Sequence, residues 1–275
     1  MRKVVFAVLL CAAPAFAGFE RRGAGARTLA LANAGAALGH GALAPTINPA
    51  CLTLVGGPQV EVYYTPQPFG IKELSTGGIA LGFRTAPGAV AVGLSSFGFD
   101  HYREVSGSLA VAGTISAISA GVTLNLYSVT IQHYGSAGAV ALDVGTRIPI
   151  GGTAAIGMSL LNVGAATIGS SRERIPQALT VGCAYAPLRS FRLVFDYQKE
   201  LSFEGSARIG FEYQPLDALI LRGGASENPS VAAGGIGVRL LSFEFDYALS
   251  NHAELGWTQA LSLSLTWGGR HENGD

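Results

Sequence analysis

Leu261-Ser262-Leu263-Ser264-Leu265-Thr266-Trp267 places an apolar side chain at every odd position and a hydroxyl residue at every even one. Successive side chains of a strand point to opposite faces, so this stretch reads as a strand with one apolar and one polar face. The same period of two runs upstream. Phe243, Phe245, Tyr247 and Leu249 alternate with Glu244, Asp246 and Ala248, and Phe191, Leu193, Phe195 and Tyr197 alternate with Arg192, Val194, Asp196 and Gln198. Ile209, Phe211 and Tyr213 alternate with Arg208, Gly210 and Glu212. Fourteen such segments are expected, at 58–65, 76–85, 88–97, 103–112, 115–126, 137–147, 152–162, 177–186, 190–198, 204–213, 217–225, 231–240, 242–249 and 258–267. Most have the length that crosses a bilayer at a tilt, and an even number suits a single-chain bacterial barrel. The fold class is therefore all-β, a transmembrane antiparallel β-barrel of about 14 strands over 58–267.

The connections and the charges bear on the same reading. Ala86-Pro87-Gly88, Pro149-Ile150-Gly151 and Pro215-Leu216 are tight-turn chemistry, whereas 66–75, 128–136, 163–176, 199–203 and 250–257 are expected as longer loops. Short turns alternating with longer loops fit a transmembrane barrel, with both termini on the periplasmic side. Opposite the large apolar residues, the strands carry Glu61, Arg84, Asp143, Arg147, Arg192, Asp196, Arg208, Glu212, Arg222, Arg239, Glu244 and Asp246. Slipping the phase by one would aim six arginines at lipid, at a cost of roughly 2–4 kcal/mol each near the midplane. In the assigned phase they face inward and pair with six carboxylates as lumen-filling ion pairs. A lumen balanced in sign is not that of an ion-selective pore.

Composition agrees. Charged residues are 13% of the 275, about half the usual share, and 18 basic residues balance 18 acidic ones. A neutral chain lacks the electrostatic footprint of a nucleic-acid binder. Arg2 and Lys3, the apolar run Val4–Ala13 and Ala15-Phe16-Ala17 read as an export signal over 1–17, with the mature chain starting at Gly18. No later run of 18 apolar residues offers a membrane helix. A soluble secreted β-sandwich is the alternative fold. Cys51 and Cys183 are expected as free thiols, Cys183 packed as a small apolar residue.

Several stretches resemble the PorV/PorQ family of outer-membrane barrels, related to FadL-type channels. Asp246-Tyr247-Ala248 with Glu254-Leu255-Gly256, Gln259 and Leu261–Leu265 is similar to its closing hairpin. Leu221-Arg222-Gly223-Gly224 with Ala233–Gly237, and Asn162-Val163-Gly164 with Ile175-Pro176, look like further family segments. Gly25-Ala26-Arg27, Ala34–Ala37 and Ile47-Asn48-Pro49-Ala50 resemble its opening. The chain departs from the pattern in lacking acidic residues between Gly39 and Thr46 and in having Cys51 after the Asn-Pro-Ala motif. The resemblance implies a 14-stranded barrel located in the bacterial outer membrane. From the FadL side it also implies a short N-terminal plug, here 18–57 with Asn48, Pro49 and Ala50 as its motif; a periplasmic segment is the other reading. Arg27–Leu38 suits a short helix. The last residues, 268–275, read as a periplasmic tail.

No catalytic motif is present: G-x-S-x-G, H-E-x-x-H, C-x-x-C and the P-loop are all missing, and the histidines have no ligand spacing. Neither enzyme activity nor a cofactor is expected. Three functions follow. The PorV likeness implies an accessory in type IX-like protein secretion or surface attachment. Its partners would be secretion machinery or secreted clients, met by loop residues Arg172, Glu173, Arg174, His252 and Glu254. The alternative is a FadL-type channel for hydrophobic small molecules, using the plug and a kinked, Gly-rich wall at 231–237. The third is a structural barrel whose partner is outer-membrane lipid alone.

Overall fold

A computed structural model describes residues 18–19, 23–39, 41–201 and 203–268. The export signal expected at 1–17 and the tail beyond Gly268 lie outside the described residues. Among the described residues sixteen strands form: β1 Gln59–Thr65, β2 Thr76–Arg84, β3 Gly88–Phe99, β4 Tyr102–Ile115, β5 Ile118–Ile131, β6 Gly135–Ile150, β7 Ala154–Leu161, β8 Thr167–Ile168, β9 Glu173–Arg174, β10 Ala178–Leu188, β11 Phe191–Glu200, β12 Ser206–Leu216, β13 Leu219–Ser226, β14 Val231–Leu240, β15 Phe243–His252 and β16 Gly256–Thr266. Fourteen of them make one closed antiparallel barrel, and β8 and β9 form a separate small hairpin in the connection from β7 to β10. The barrel closes between β1 and β16, from Gln59 opposite Thr266 to Tyr64 opposite Leu261. Closure satisfies backbone hydrogen bonds without leaving an edge in hydrocarbon.

The period of two decides which face each residue takes. On β5, Val122, Leu124 and Leu126 stand exposed while Thr123, Asn125 and Tyr127 are buried. On β16, Leu261 and Leu263 point outward and Ser262 is buried. Leu124 lies opposite Leu109 on β4 and Leu142 on β6, so the outer surface is continuously apolar across strands. An apolar belt around a closed barrel belongs in a membrane, and the protein is an outer-membrane β-barrel.

The inner wall is built of small residues. Ala80, Ala89, Ala91, Ala110, Ala112, Ala155, Ala248 and Ala260 are all buried there. Against them lies the N-terminal segment. Leu52 and Val55 pack on Ala89, Ala91, Ala110 and Ala112, and Ala26 and Ala30 pack on Ala248 and Ala260. A Cβ on Gly121 would come 2.5 Å from the Pro49 carbonyl carbon, and one on Gly224 would come 2.5 Å from that of Leu31. Glycine at these two positions lets wall and segment touch backbone to backbone.

The structure departs from the sequence reading at five points. The helix expected over Arg27–Leu38 is a single turn, α1 (Ala26–Ala30), because Ala32 and Asn33 adopt left-handed backbone (φ 51° and 63°). The loops expected at 128–136 and 250–257 are tight turns. Pairing continues to Ile131 opposite Gly135 and to His252 opposite Gly256, whose positive φ values (97° and 95°) allow the reversal. Pro149 and Pro215 lie inside β6 and β12, with the turns two residues later. Cys183 is not packed away but points outward on β10, in phase with Leu179 and Val181. Finally, 231–237 is not open, since β14 pairs with β13 and β15 along its length.

Replacing Leu124 with Arg puts a guanidinium against lipid midway along a strand. Unfolding by denaturant in phospholipid vesicles is expected to show a loss of about 2–4 kcal/mol. An unchanged midpoint would place Leu124 off the lipid face.

Candidate functional site

The segment inside the barrel is held by side chains of the wall, and the wall by its backbone. Asn48 is fully buried. Its Nδ2 donates to the carbonyls of Ala36 (2.6 Å) and Thr146 (3.0 Å), while its Oδ1 accepts from the Ala50 amide (3.0 Å). Asn48 thus caps the turn Pro49–Leu54 and ties it to β6. Cys51 is buried beside it, its Sγ 3.4 Å from the Ala36 carbonyl oxygen. Burial pushes the Cys51 thiol up to about 12.

The twelve inward charges do not pair one to one, which corrects the expectation of six matched pairs. Arg222 takes three carboxylates: its Nε donates to Glu212 (2.8 Å), its Nη2 to Glu244 (2.9 Å) and its Nη1 to Asp246. Arg239 reaches Glu244 at 2.7 Å, and the more exposed Arg192 reaches Glu212 at 3.6 Å. The partner the sequence reading missed is Arg27 on α1, whose Nε and Nη2 donate to Glu212 at 2.6 and 2.8 Å. It is off the strand periodicity that found the others.

The remaining charges, Arg84 apart, hold backbone. Asp196 Oδ2 accepts from the amides of Gly35 (2.7 Å) and Ala36 (2.9 Å). Arg147 donates to the Ala37 carbonyl (2.9 Å), Arg208 to that of Asn33 (3.3 Å), and Glu61 accepts from the Leu43 amide (3.4 Å). Asp143 takes the Asn125 side chain and the Asn162 amide, both at 2.7 Å. Arg84 stands exposed at the end of β2.

The Gly-rich stretch of β14 belongs to the same arrangement. A Cβ on Gly235 would meet Ala30 of α1 at 2.7 Å, and one on Gly237 would meet the Arg222 guanidinium at 2.7 Å. These glycines make room for the segment and the charge cluster, not for an opening.

The opposite half of the lumen is different. Between the N-terminal segment and β1–β5 lies a cavity of about 320 Å³. Ala91, Gly93, Ser106, Ser108, Thr123 and Tyr127 are among its lining, and among the described residues Glu104 is the one charged group there. Thr123 is buried, and its hydroxyl has no hydrogen-bond partner among the described residues. The lumen is thus divided into a charge-locked side and a side of small apolar and hydroxyl residues.

The connection from β7 to β10 packs against Phe19 and Tyr127, which also line this cavity. Asn162 organises it: the side chain donates to the Ile175 carbonyl (2.9 Å) and accepts from the Ala166 amide (2.9 Å). Ile168 and Ile175 bury themselves against Phe19, Tyr127 and Ala141. Arg172 turns the hairpin, and Glu173 and Arg174 form exposed β9. His252 ends β15, its Nδ1 accepting from the Glu254 amide at 3.2 Å. Among the described residues no group of three His, Cys, Asp or Glu is placed to hold a metal.

No protein-family profile matches the chain, and no curated protein matches it. Solved structures do, FadL-type outer-membrane channels among them. The CymD monoaromatic hydrocarbon channel superposes with a TM-score of 0.68 at 13% identity, over 92% of this chain and 100% of that one. The toluene transporter TodX of Pseudomonas putida gives 0.65 at 12%, over 90% and 99%. A Pseudomonas aeruginosa FadL homologue gives 0.61 at 11%, over 87% and 97%. At such identities the likeness is one of fold. It overturns the secretion-accessory expectation: the neighbours are channels, and none speaks for PorV/PorQ in particular. The motifs behind that expectation are Gly, Ala and aromatic spacings, which a small-walled barrel around a plug requires on its own account.

Two outcomes follow from this geometry. Arg222→Met leaves three buried carboxylates without their shared cation, and equilibrium unfolding is expected to show a loss of about 3–5 kcal/mol. With its thiol raised to about 12, Cys51 is expected to resist maleimide at pH 8 until the barrel unfolds, as mass spectrometry of single-cysteine protein would show. Labelling of the folded protein would put the segment outside the barrel.

Proposed function

We propose that the protein is a passive outer-membrane channel for small, uncharged hydrophobic molecules. The observation that carries this reading is the cavity of about 320 Å³ in the charge-poor half of the lumen. Its size lies at the lower end of the range for small-molecule sites. Its alanines and glycines offer apolar contact, and its hydroxyls can meet a polar edge. The locked charges across the lumen attract no ion of either sign, which suits neutral cargo. The fold likeness to a hydrocarbon channel and a toluene transporter supports the same reading. The PorV/PorQ-like motifs are read here as those of a shared barrel scaffold. The function needs no catalytic group and no cofactor.

The test is uptake of radiolabelled toluene by cells with an intact lipopolysaccharide outer membrane and no channel of their own. Expression of the protein is expected to raise uptake above the vector background. Ser108→Phe, which fills the cavity from β4, is expected to return it to background while the folded barrel still migrates compactly on unheated gels. Uptake equal to background with the unaltered protein, for toluene and for longer apolar probes, would leave the structural-barrel reading instead.

A further inference from the structure

Glu104 is a buried carboxylate in search of a cation. It lies on the inner face of β4 with 6% of its surface exposed. Its Oε2 accepts from the Phe19 amide at 2.8 Å and its Oε1 from the Tyr102 hydroxyl at 2.7 Å. Among the described residues no Lys, Arg or His reaches it as an ion pair. Two hydrogen bonds to neutral donors are a poor return for desolvating a carboxylate, which normally stays buried only when paired.

The backbone beside it is firmly placed. The Phe19 ring is buried against Tyr127, with centroids 4.6 Å apart, and against Ile168 and Ile175. Gly18 sits directly on the carboxylate: a Cβ there would come 2.7 Å from Glu104 Cδ. Residue 18 is also where the expected mature chain starts. Hydrolysis of the Ala17–Gly18 bond adds one water, leaving a carboxylate on Ala17 and an ammonium group on Gly18. The Gly18 nitrogen thereby changes from a neutral amide into a cation with three donors, one residue from the amide that already binds Glu104.

We propose that the α-ammonium group of Gly18, created by removal of residues 1–17, is the counter-ion of Glu104. The pair forms at the loop end of the cavity, which Gly18, Phe19, Tyr102 and Glu104 all line. Processing then does more than release the leader. It neutralises the one acidic group that the described residues place in the cavity and pins the new terminus to β4. Glycine at position 18 is required by the contact, which leaves no room for a Cβ. The inference rests on the expected cleavage site and stands apart from what the cavity carries.

The experiment uses full-length protein expressed with its leader and purified from membranes in detergent. Terminal sequencing is expected to begin at Gly18; any other start overturns the proposal. The α-amine is then acylated over a pH series, folded and unfolded, and read by mass spectrometry of the first peptide. An ion-paired amine titrates above the ordinary α-amino range, so the folded midpoint is expected to rise by roughly one unit or more. Burial without a counter-ion moves the midpoint down, so a value at or below the unfolded one overturns the proposal. In Glu104→Gln the upward shift is expected to vanish. If that variant fails to fold, the wild-type midpoint still decides.

Discussion

A chain that crosses hydrocarbon must satisfy every backbone amide and carbonyl within itself, and the ladder between β1 and β16 is where this one does so. Closing the sheet commits each strand to a single register, because a slip of one residue would turn leucines inward and guanidinium groups outward. From closure follow the apolar belt, the inward charges and an interior volume that must be filled. The protein fills one side of it with its own N-terminal segment, which is why the inner wall is alanine and glycine where it faces that segment.

The barrel was legible in the sequence because its determinant is local. Alternation in Leu261–Trp267 needs no knowledge of distant residues, and all fourteen wall strands were found from it within a few positions. The inward phase of Arg222 and Asp196 was legible for the same reason. Their partners were not. Glu212 meets Arg27 from 185 positions away, and Asp196 meets the amides of Gly35 and Ala36. Backbone donors leave no signature in side-chain identity, so a reading that counts charges pairs them with one another.

Loop lengths misled for a related reason. Polar residues at 128–136 and 250–257 look like loop, yet past the membrane boundary a barrel strand has water on both faces and no need of apolar residues. Strand pairing continues there on backbone hydrogen bonds alone. Asn162 was visible as part of a motif, but its work is to bind backbone within its own connection, and nothing in its spacing says so.

The charge cluster and the N-terminal segment form one unit, and this constrains any route through the lumen. Arg27 belongs to the segment, and Glu212 receives it together with Arg222. Withdrawing the segment would strip Glu212 of a bidentate partner, free the Asp196 carboxylate from two amides and leave Asn48's bonds to the wall unmade. Each of these groups is buried, so each loss exposes a desolvated polar atom to an apolar surround. On the channel reading, expulsion of the segment is therefore the costly path. The cheaper one runs beside it, along β2–β5, where the contacts are alanine on leucine and side chains can shift without breaking an ion pair.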